Sequence, residues 1–293
     1  MLSILIVNWN TRELLRSCLE SIAKFPPKIP YEIIVIDNDS HDESLAMVQT
    51  HFPDVRAFDA GGNTGYAHGN NLAFQEAKGD WLLTLNPDTE FLDDSLQKSI
   101  DCLVQHPQWG VLGIRLIGPD GETQNSVRGW PTMAGIFGQI SGLDKRYPDT
   151  IFGAYSLPKF DYNVSQLAIQ PMGTYLLFRR LSLQRAADPN SPFDERFPIF
   201  FNEVDLLRRL AEAGVQCGYC ADCSVRHHHG SGTKQVRKSM IWESHRSLVR
   251  YFEKHLTGWR RAALPAIALA SNIVAFVRAK GYHAGFRTQH HNL

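Results

Sequence analysis

Short apolar runs and amphipathic segments alternate along the first third of the chain. Residues 3–7 and 33–36 are apolar and rich in β-branched side chains, and polar residues follow each run directly. Between them, residues 12–24 carry leucine, isoleucine and cysteine at helical spacing, and two prolines follow. This pattern predicts a buried strand, a helix and a second, parallel strand.

The same alternation continues to about residue 90. It predicts a helix, a short strand, a glycine-bearing stretch, a helix that ends near Lys78, and another buried strand. These elements occupy residues 44–51, 55–58, 61–71, 72–78 and 81–85. Strands that alternate with helices indicate an α/β domain with a mostly parallel sheet, and its chemistry is expected at the carboxyl ends of the strands.

The remainder of the chain falls into a loop-rich middle and a helical end. Residues 118–170 are rich in Gly, Pro and Asp and show weak periodicity, so we expect irregular loops or loops that face an acceptor. Ordered elements return at residues 172–178, 204–213 and 216–220. Two further helices are predicted at 242–255 and across an apolar run at 262–277. We therefore expect one domain over 1–235 and a helical extension over 236–293.

Charge divides the chain in the same way. Thirty basic and thirty acidic residues cancel, which argues against a protein that coats nucleic acid by bulk charge. Residues 226–293, however, hold twelve Lys/Arg and two Glu, a balance of +10. The apolar run inside this basic extension has sixteen residues, short of the roughly 20 that span a bilayer. Two interpretations stay open: a helix lying in an anionic membrane surface, or a helix packed on the protein.

The first residues and the cysteines indicate the cellular compartment. The first residues form a core strand with no basic region or cleavage site, so we expect no secretory signal and a cytoplasmic protein. Five cysteines in a chain of 293 residues argue against a disulfide scaffold.

Two strand ends carry candidate ligand-binding side chains. Asp88 follows a buried strand, with Asn86 two residues earlier, and such a carboxylate can bind a hard divalent cation. Asp37 and Asn38 follow the second strand and can face the base and ribose of a ligand. Turn-forming Asx residues are the alternative at both places.

Two acidic residues open the predicted helix at 204–213. Glu203 and Asp205 can simply compensate the helix dipole. The aromatic and apolar residues 197–201 before them favour a partly dry setting, which raises a carboxyl pKa toward general-base work.

Histidine, cysteine and glycine clusters are the remaining candidates. His227 begins a run of three histidines that can supply a metal ligand. Cys217, Cys220 and Cys223 precede it at a zinc-like spacing, but strand geometry turns residues three apart to opposite faces, which favours buried thiols. The glycines of residues 61–69 match neither a dinucleotide fingerprint nor a P-loop.

Taken in order, seven segments resemble family 2 glycosyltransferases with the GT-A fold, especially the bacterial branch that includes rhamnosyltransferases of cell-surface polysaccharides. The likeness covers residues 3–232. The segments are 4–10, 35–40, 63–71, 85–88, 193–197, 202–206 and the histidines at 227–229.

The resemblance implies an α/β catalytic domain and an inverting transfer of a sugar, such as rhamnose, to a hydroxyl of a surface glycan or a polyprenyl-linked acceptor. Asp88 and His227 would hold Mg²⁺ or Mn²⁺ on the diphosphate of a TDP- or UDP-linked donor. Glu203 and Asp205 would be the catalytic carboxylates. Donor-binding residues would be Asn8, Asn10, Asp37, Asn38, Asn63, Gly65, Asn71 and Asn86.

Two departures from the family pattern stand out. Asn86 replaces the first Asp of an Asp-x-Asp motif, and the Asn202–Glu203 pair replaces the usual Glu-Asp pair. They keep open a non-catalytic protein that binds nucleotide sugars or acts as a scaffold. A sugar-nucleotide nucleotidyltransferase is a further alternative, but it would need a Gly-rich, basic triphosphate loop, which residues 8–11 do not supply.

Overall fold

The computed structural model of the chain describes residues 1–228 and 236–288. Within these ranges, nine strands form one twisted central sheet and two short strands form a second sheet. In chain order, the strands are β1 (Leu2–Asn8), β2 (Tyr31–Asp37), β3 (Arg56–Asp59), β4 (Trp81–Leu85), β5 (Thr89–Glu90), β6 (Trp109–Ile117), β7 (Val127–Arg128), β8 (Gln166–Leu167), β9 (Gln170–Pro171), β10 (Tyr175–Arg179) and β11 (Gln216–His227).

Helices cover both faces of the central sheet and make up the C-terminal extension. They are α1 (Arg12–Lys24), α2 (Ser44–His51), α3 (Tyr66–Glu76), α4 (Ser95–Gln105), α5 (Met133–Ser141), α6 (Leu143–Arg146), α7 (Arg180–Leu183), α8 (Asn202–Glu212), α9 (Arg237–His255) and α10 (Leu264–Ala279), the last preceded by a 3₁₀ turn at Gly258–Ala263.

The order of strands in the central sheet is β3-β2-β1-β4-β10-β6-β11-β5, with β8 paired to β11. Strands β1 to β4 run parallel, β10 is antiparallel to both of its neighbours, and β6 and β11 are again parallel. Asn8 pairs with Asp37 at the ends of β1 and β2. The carboxyl ends of the parallel strands therefore bring the polar residues of the sequence motifs to one edge of the sheet.

Alternate side chains of β1 enter two different cores. Ile4 and Ile6 pack with α1, α2 and α4 on one face, whereas Leu5 and Val7 pack with α3 and α8 on the other. This explains why residues 4–7 of β1 are all apolar, since a strand covered on both faces has no solvent side.

The C-terminal extension packs against the sheet domain. Tyr251 and Phe252 of α9 and Ile267 of α10 form a buried cluster with Phe197 and Val204 of the sheet domain. The outer surface of α10 remains exposed and apolar. Residues Gly258–Ala279 form a helical stretch that is long and apolar enough to cross a membrane, and 17% of its most apolar window is buried.

Two regions differ from the sequence prediction. The middle segment contains α5 and α6, where loops were expected. Gly135 and Gly138 of α5 lie against Tyr155 and Phe152. Tertiary packing therefore stabilises this helix, although its sequence lacks a clear helical periodicity. Strand β11 extends to His227 instead of ending near residue 220, because an irregularity between Cys220 and Ser224 restores its pairing with β6.

Candidate active site

Hydrogen bonds tie the ends of β1 and β2 together. Asn8 donates from Nδ2 to Asp37 Oδ1 at 3.0 Å and to Ser40 Oγ at 3.1 Å. Asp37 Oδ2 accepts from the backbone amide of Ser40 at 2.9 Å. Asp37 is buried, and its carboxylate therefore fixes the loop after β2 as well as the side chain of Asn8.

The loop before α3 is joined to the same strand end. Asn38 Oδ1 accepts from the amide and hydroxyl of Thr64, both at 3.0 Å, and Asn38 Nδ2 donates to Asn63 Oδ1 at 3.2 Å. Gly65 follows with φ +92°, and a Cβ there would lie 2.8 Å from the carbonyl oxygen of Pro198. Only glycine fits this approach without strain.

These elements surround a cavity of about 610 Å³, a volume in the range of ligand sites. Six of the predicted donor and metal residues line it: Asn8, Asn38, Asn63, Gly65, Asn86 and Asp88. Sequence reasoning missed Trp9 and Tyr66, which also line it. It also missed the part of the lining that comes from the C-terminal extension.

Asp88 and His227 come together at the bottom of this edge. His227 is the last residue of β11, and its Nε2 lies 3.6 Å from Asp88 Oδ1. Gln124 Oε1 lies 2.8 Å from His227 Nδ1, and Thr174 Oγ1 lies 3.4 Å from Nε2. The ring of His227 lies beside the Asp88 carboxylate, whereas the ring of His228 lies 3.2 Å from Glu90 and its backbone amide donates to the carbonyl oxygen of Asp88 at 2.9 Å. His229 lies outside the described residues.

The hydrogen bonding of Asp88 Oδ1 is incomplete. Asp88 is 6% exposed, and its Oδ1 has no hydrogen-bond partner within residues 1–228 and 236–288. A buried carboxylate oxygen normally has a partner, and its absence is costly. Carboxylate oxygen and imidazole nitrogen are suitable ligands for Mn²⁺ or Mg²⁺, so the residues present fit a divalent cation. No group of three or more His, Cys, Asp or Glu that could hold a metal occurs in the described part of the chain.

Tyr66 connects the cavity with α8. Its hydroxyl lies 3.1 Å from Asn86 Oδ1 and 3.5 Å from the carbonyl oxygen of Gly173. Burial raises the pKa of Tyr66 well above its ordinary value, and the charges of Glu203 and Asp88 add to the increase. The residue follows Gly65 at the start of α3, which is the signal in the sequence that could have identified it.

Glu203 lies directly behind Gly173. A Cβ at Gly173 would lie 3.2 to 3.4 Å from the side-chain carbons of Glu203. Burial raises the pKa of Glu203, although the amides of Glu203 and Val204 at the start of α8 partly oppose this. Glu203 does not itself line the cavity. A carboxylate with a raised pKa beside a ligand cavity has the properties of a general base.

Asp205, two residues further along α8, has a different environment. It is fully buried, and its carboxylate lies 2.8 Å from Arg209, 2.6 Å from Lys254 and 2.8 Å from His255. Burial opposes its ionisation, but these partners outweigh it and lower the pKa of Asp205. Lys254 and His255 belong to α9, so Asp205 links the extension to α8.

Two predicted donor residues also lie behind the cavity wall. Asn10 Oδ1 accepts from the amide of His41 at 2.7 Å. Asn71 donates to the carbonyl oxygen of Phe193 at 3.0 Å and to Glu195 at 2.9 Å. Both residues brace loops of the site and are not among its lining residues.

The cysteines of β11 lie in separate environments. Cys217 packs against the core beneath α3 and α8, whereas Cys220 and Cys223 belong to the core beneath α1 and α4. The irregularity in β11 places Cys220 and Cys223 on one face, with sulfur atoms 3.1 Å apart, although they are three residues apart. The expected alternation of faces is therefore wrong for this pair.

Comparison with known proteins identifies the class. The model of the glycosyl transferase family 2 matches residues 3–156, more than half of the chain. The chain therefore belongs to glycosyl transferase family 2 and is a glycosyltransferase.

Curated relatives extend the likeness over most of the sequence. An N-acetylglucosaminyl-diphospho-decaprenol L-rhamnosyltransferase of Mycobacterium tuberculosis is 27% identical over 249 residues, which cover 80% of this chain and 78% of that protein. Rhamnosyltransferase WbbL of Escherichia coli is 24% identical over 267 residues, covering 87% and 93% of the two chains.

Solved structures show that the fold is GT-A. Mannosyltransferase PcManGT from Pyrobaculum calidifontis, in complex with GDP-Man and Mn²⁺, superimposes with a TM-score of 0.57 at 16% identity. That match covers 98% of this chain and 76% of the other. TarS 1-349 of S. aureus with UDP gives a TM-score of 0.55 at 15% identity, covering 94% and 72%. The fold class expected from the sequence is confirmed.

Proposed function

We propose that the protein is an inverting, divalent-metal-dependent glycosyltransferase that moves a sugar from a nucleoside diphosphate to an acceptor hydroxyl. The observation that carries this proposal is the buried Asp88 Oδ1, which lies 3.6 Å from His227 Nε2 and has no hydrogen-bond partner in the described part of the chain, in a cavity lined by the polar strand ends. Family membership supports a transferase over the scaffold and nucleotidyltransferase alternatives.

Donor binding is assigned to the cavity wall and the residues behind it. Asn8, Asn38, Asn63, Gly65 and Asn86 line the cavity and are proposed to contact the donor. Asp37, Asn10 and Asn71 are proposed to position that wall through the hydrogen bonds described above.

Asp88 and His227 are proposed to hold Mg²⁺ or Mn²⁺. The cation, when bound, stabilises the negative charge that develops on the diphosphate leaving group. Gln124 lies within hydrogen-bond distance of His227 Nδ1, which orients the ring and leaves Nε2 toward Asp88.

Glu203 is proposed as the general base. Its carboxylate accepts the proton of the acceptor hydroxyl while that oxygen attacks the anomeric carbon from the face opposite the diphosphate. A single displacement of this kind inverts the anomeric configuration, by the same opposite-face logic as in inverting glycosidases. Asp205, whose pKa is lowered, is proposed to assist by fixing the start of α8 through Arg209, Lys254 and His255.

Both curated relatives described above are rhamnosyltransferases, and one name specifies a diphospho-decaprenol acceptor. We therefore propose rhamnose from a TDP- or UDP-linked donor, and an acceptor sugar on a polyprenyl diphosphate or a growing surface glycan.

The exposed face of α10 supports a peripheral position on the cytoplasmic side of the cell membrane. Leu269, Ile273, Phe276 and Val277 are each more than half exposed, and Arg260, Arg261, Arg278 and Lys280 flank the helix. Apolar residues bordered by cations fit an anionic lipid surface.

The test is turnover with defined substrates. Purified protein is incubated with TDP-rhamnose, UDP-linked sugars or GDP-mannose, an N-acetylglucosaminyl diphosphate lipid, and Mn²⁺ or chelator. We expect one pyrimidine-linked donor to give a product whose mass increases by one sugar, with inverted anomeric configuration by NMR and only when metal is present. Retention of configuration, or full activity in chelator, would refute the proposed mechanism.

A further inference from the structure

The chain that follows α10 returns to the candidate donor cavity. We call residues 281–288 the C-terminal segment. Its residues His283, Gly285, Phe286 and Arg287 line the same cavity as Asn8 and Asp88. A Cβ at Gly65 would lie 3.2 Å from Phe286 Cε1, so the segment is in direct contact with the loop before α3.

Side chains of α9 hold this segment in place. Trp242 Nε1 donates to the carbonyl oxygen of Gly281 and Ser239 Oγ to that of Gly285, both at 2.9 Å. The fully buried carboxylate of Glu243 accepts from the amide of Phe286 at 3.1 Å and forms an ion pair with Arg250 at 2.5 Å. A buried carboxylate that accepts a backbone amide specifies the path of the chain, because an unsatisfied charge there would be costly.

Gly285 is required at the turn that brings Phe286 and Arg287 to the cavity. Its φ is +78°, and an added Cβ would lie 2.8 Å from Glu243 Oε2 and 3.2 Å from Arg246 Nη1. The local sequence, Gly285-Phe286-Arg287, thus combines a glycine for the turn, an aromatic ring for the wall and a cation at the rim.

The charges around the cavity are unbalanced without Arg287. Among the described lining residues, Asp39 and Asp88 are acidic, and Arg287 is the one Lys or Arg. The diphosphate of a nucleotide donor brings further negative charge. Guanidinium groups bind phosphate oxygens through paired, charge-assisted hydrogen bonds. The exposed side chain of Arg287 is on a segment that is itself anchored.

We infer that the C-terminal segment is a wall of the donor site, in which Arg287 binds the donor diphosphate and Phe286 closes the cavity against Gly65. This inference rests on the proposed function and deepens it. The basic extension then contributes directly to the donor site and is more than a membrane anchor.

The test compares nucleotide affinities by titration calorimetry with Mn²⁺ present. Wild type, Arg287→Ala and Arg287→Lys are titrated with TDP, UDP and the nucleoside thymidine. Arg260→Ala, which removes a charge from the exposed 3₁₀ turn of the same extension, is the matched control. We expect Arg287→Ala to weaken binding of the preferred diphosphate about 10- to 100-fold, as for a lost charge-assisted hydrogen bond. Arg287→Lys should recover part of the loss, and thymidine and the Arg260 control should change little.

Two results would overturn the inference in distinguishable ways. Wild-type binding of a diphosphate with equal affinity in Arg287→Ala would remove Arg287 from the donor site while leaving the proposed function intact. This conclusion would be reinforced if the variant instead lost binding to anionic phosphatidylglycerol vesicles, since Arg287 would then contact lipid phosphate. Absence of binding by the wild type to TDP and UDP would overturn the proposed donor site and this inference together.

Discussion

Glutamine at position 203 tests the proposed general base with little change in shape. The Glu203 side chain packs against Gly173, and an amide of the same size keeps that contact. It removes the group that accepts the proton. Loss of a general base typically costs about 10² to 10⁴ in rate, or roughly 3 to 5.5 kcal/mol in activation free energy. We therefore expect kcat of Glu203→Gln to fall by that factor, while donor affinity changes little because Glu203 does not line the cavity.

The pH dependence follows from the direction of the pKa shift. Burial raises the pKa of Glu203 above the ordinary value of 4.5, so the base is protonated and the rate is lost as the pH falls through that raised pKa. Stability changes in the opposite sense. The folded state disfavours the carboxylate, so its cost appears as the pH rises through 4.5 toward the folded pKa and persists above it. Glu203→Gln should therefore be at least as stable as wild type at neutral pH.

The assay measures initial rates by mass spectrometry at saturating donor, across the acidic and neutral range, alongside thermal unfolding and donor titration. A variant that keeps more than about a tenth of the wild-type rate contradicts the assignment, as does an acidic limb that survives in the variant. Parallel losses of donor affinity and stability would instead indicate a structural role.

The remaining predictions concern α8, the exposed apolar face of α10 and the loop before α3. Asp205→Asn should lower the free energy of unfolding by about 1 to 3 kcal/mol, because the buried side chain loses its charge-assisted contacts with Arg209, Lys254 and His255. Since the pKa of Asp205 is lowered, the difference in stability between wild type and variant should be largest above pH 3.8 and shrink as acid protonates the carboxylate. An unchanged denaturation midpoint of the variant at neutral pH would contradict this role of Asp205. The double variant Ile273→Asp/Phe276→Asp should reduce sedimentation with anionic vesicles about 10²-fold, because burying each apolar side chain in lipid contributes roughly 1.5 kcal/mol or more to binding. Equal sedimentation of the variant and the wild type would refute a membrane role for this face. Gly65→Ala should destabilise the protein by about 1 to 3 kcal/mol and weaken nucleotide binding. The control is Gly121→Ala, where φ is also positive (+85°) but the space around an added Cβ is open, so nucleotide binding should stay intact. Equal nucleotide binding by the two variants would contradict the steric argument.

The sequence predicts the sheet domain well because its strands are buried on both faces. The apolar runs of β1, β2 and β4 are unambiguous, and the polar residues after them mark the edge where the cavity forms. It also predicts which of those residues are close in space, since Asn8 and Asp37 end neighbouring parallel strands.

What the sequence could not predict depends on long-range packing. Helix α5 is stabilised by glycines that contact residues 14 and 20 positions away, which leaves little periodicity to detect. The opposite pKa shifts of Glu203 and Asp205 depend on Lys254 and His255 of α9, which contact only Asp205 of the two. Nothing in the sequence near α8 indicates that these two residues will lie there. Phe286 reaches Gly65 only because α9 and α10 fold back on the sheet domain.

The proposed function depends on a metal-dependent site for a nucleoside diphosphate at Asp88 and His227. Calorimetric titration of TDP and UDP into wild type and Asp88→Asn, each with Mn²⁺ and with chelator, tests it most directly. We expect the wild type to bind a pyrimidine diphosphate with Mn²⁺, and we expect this binding to be lost both in chelator and in Asp88→Asn. Equal affinity with and without metal, or in the two proteins, would contradict it.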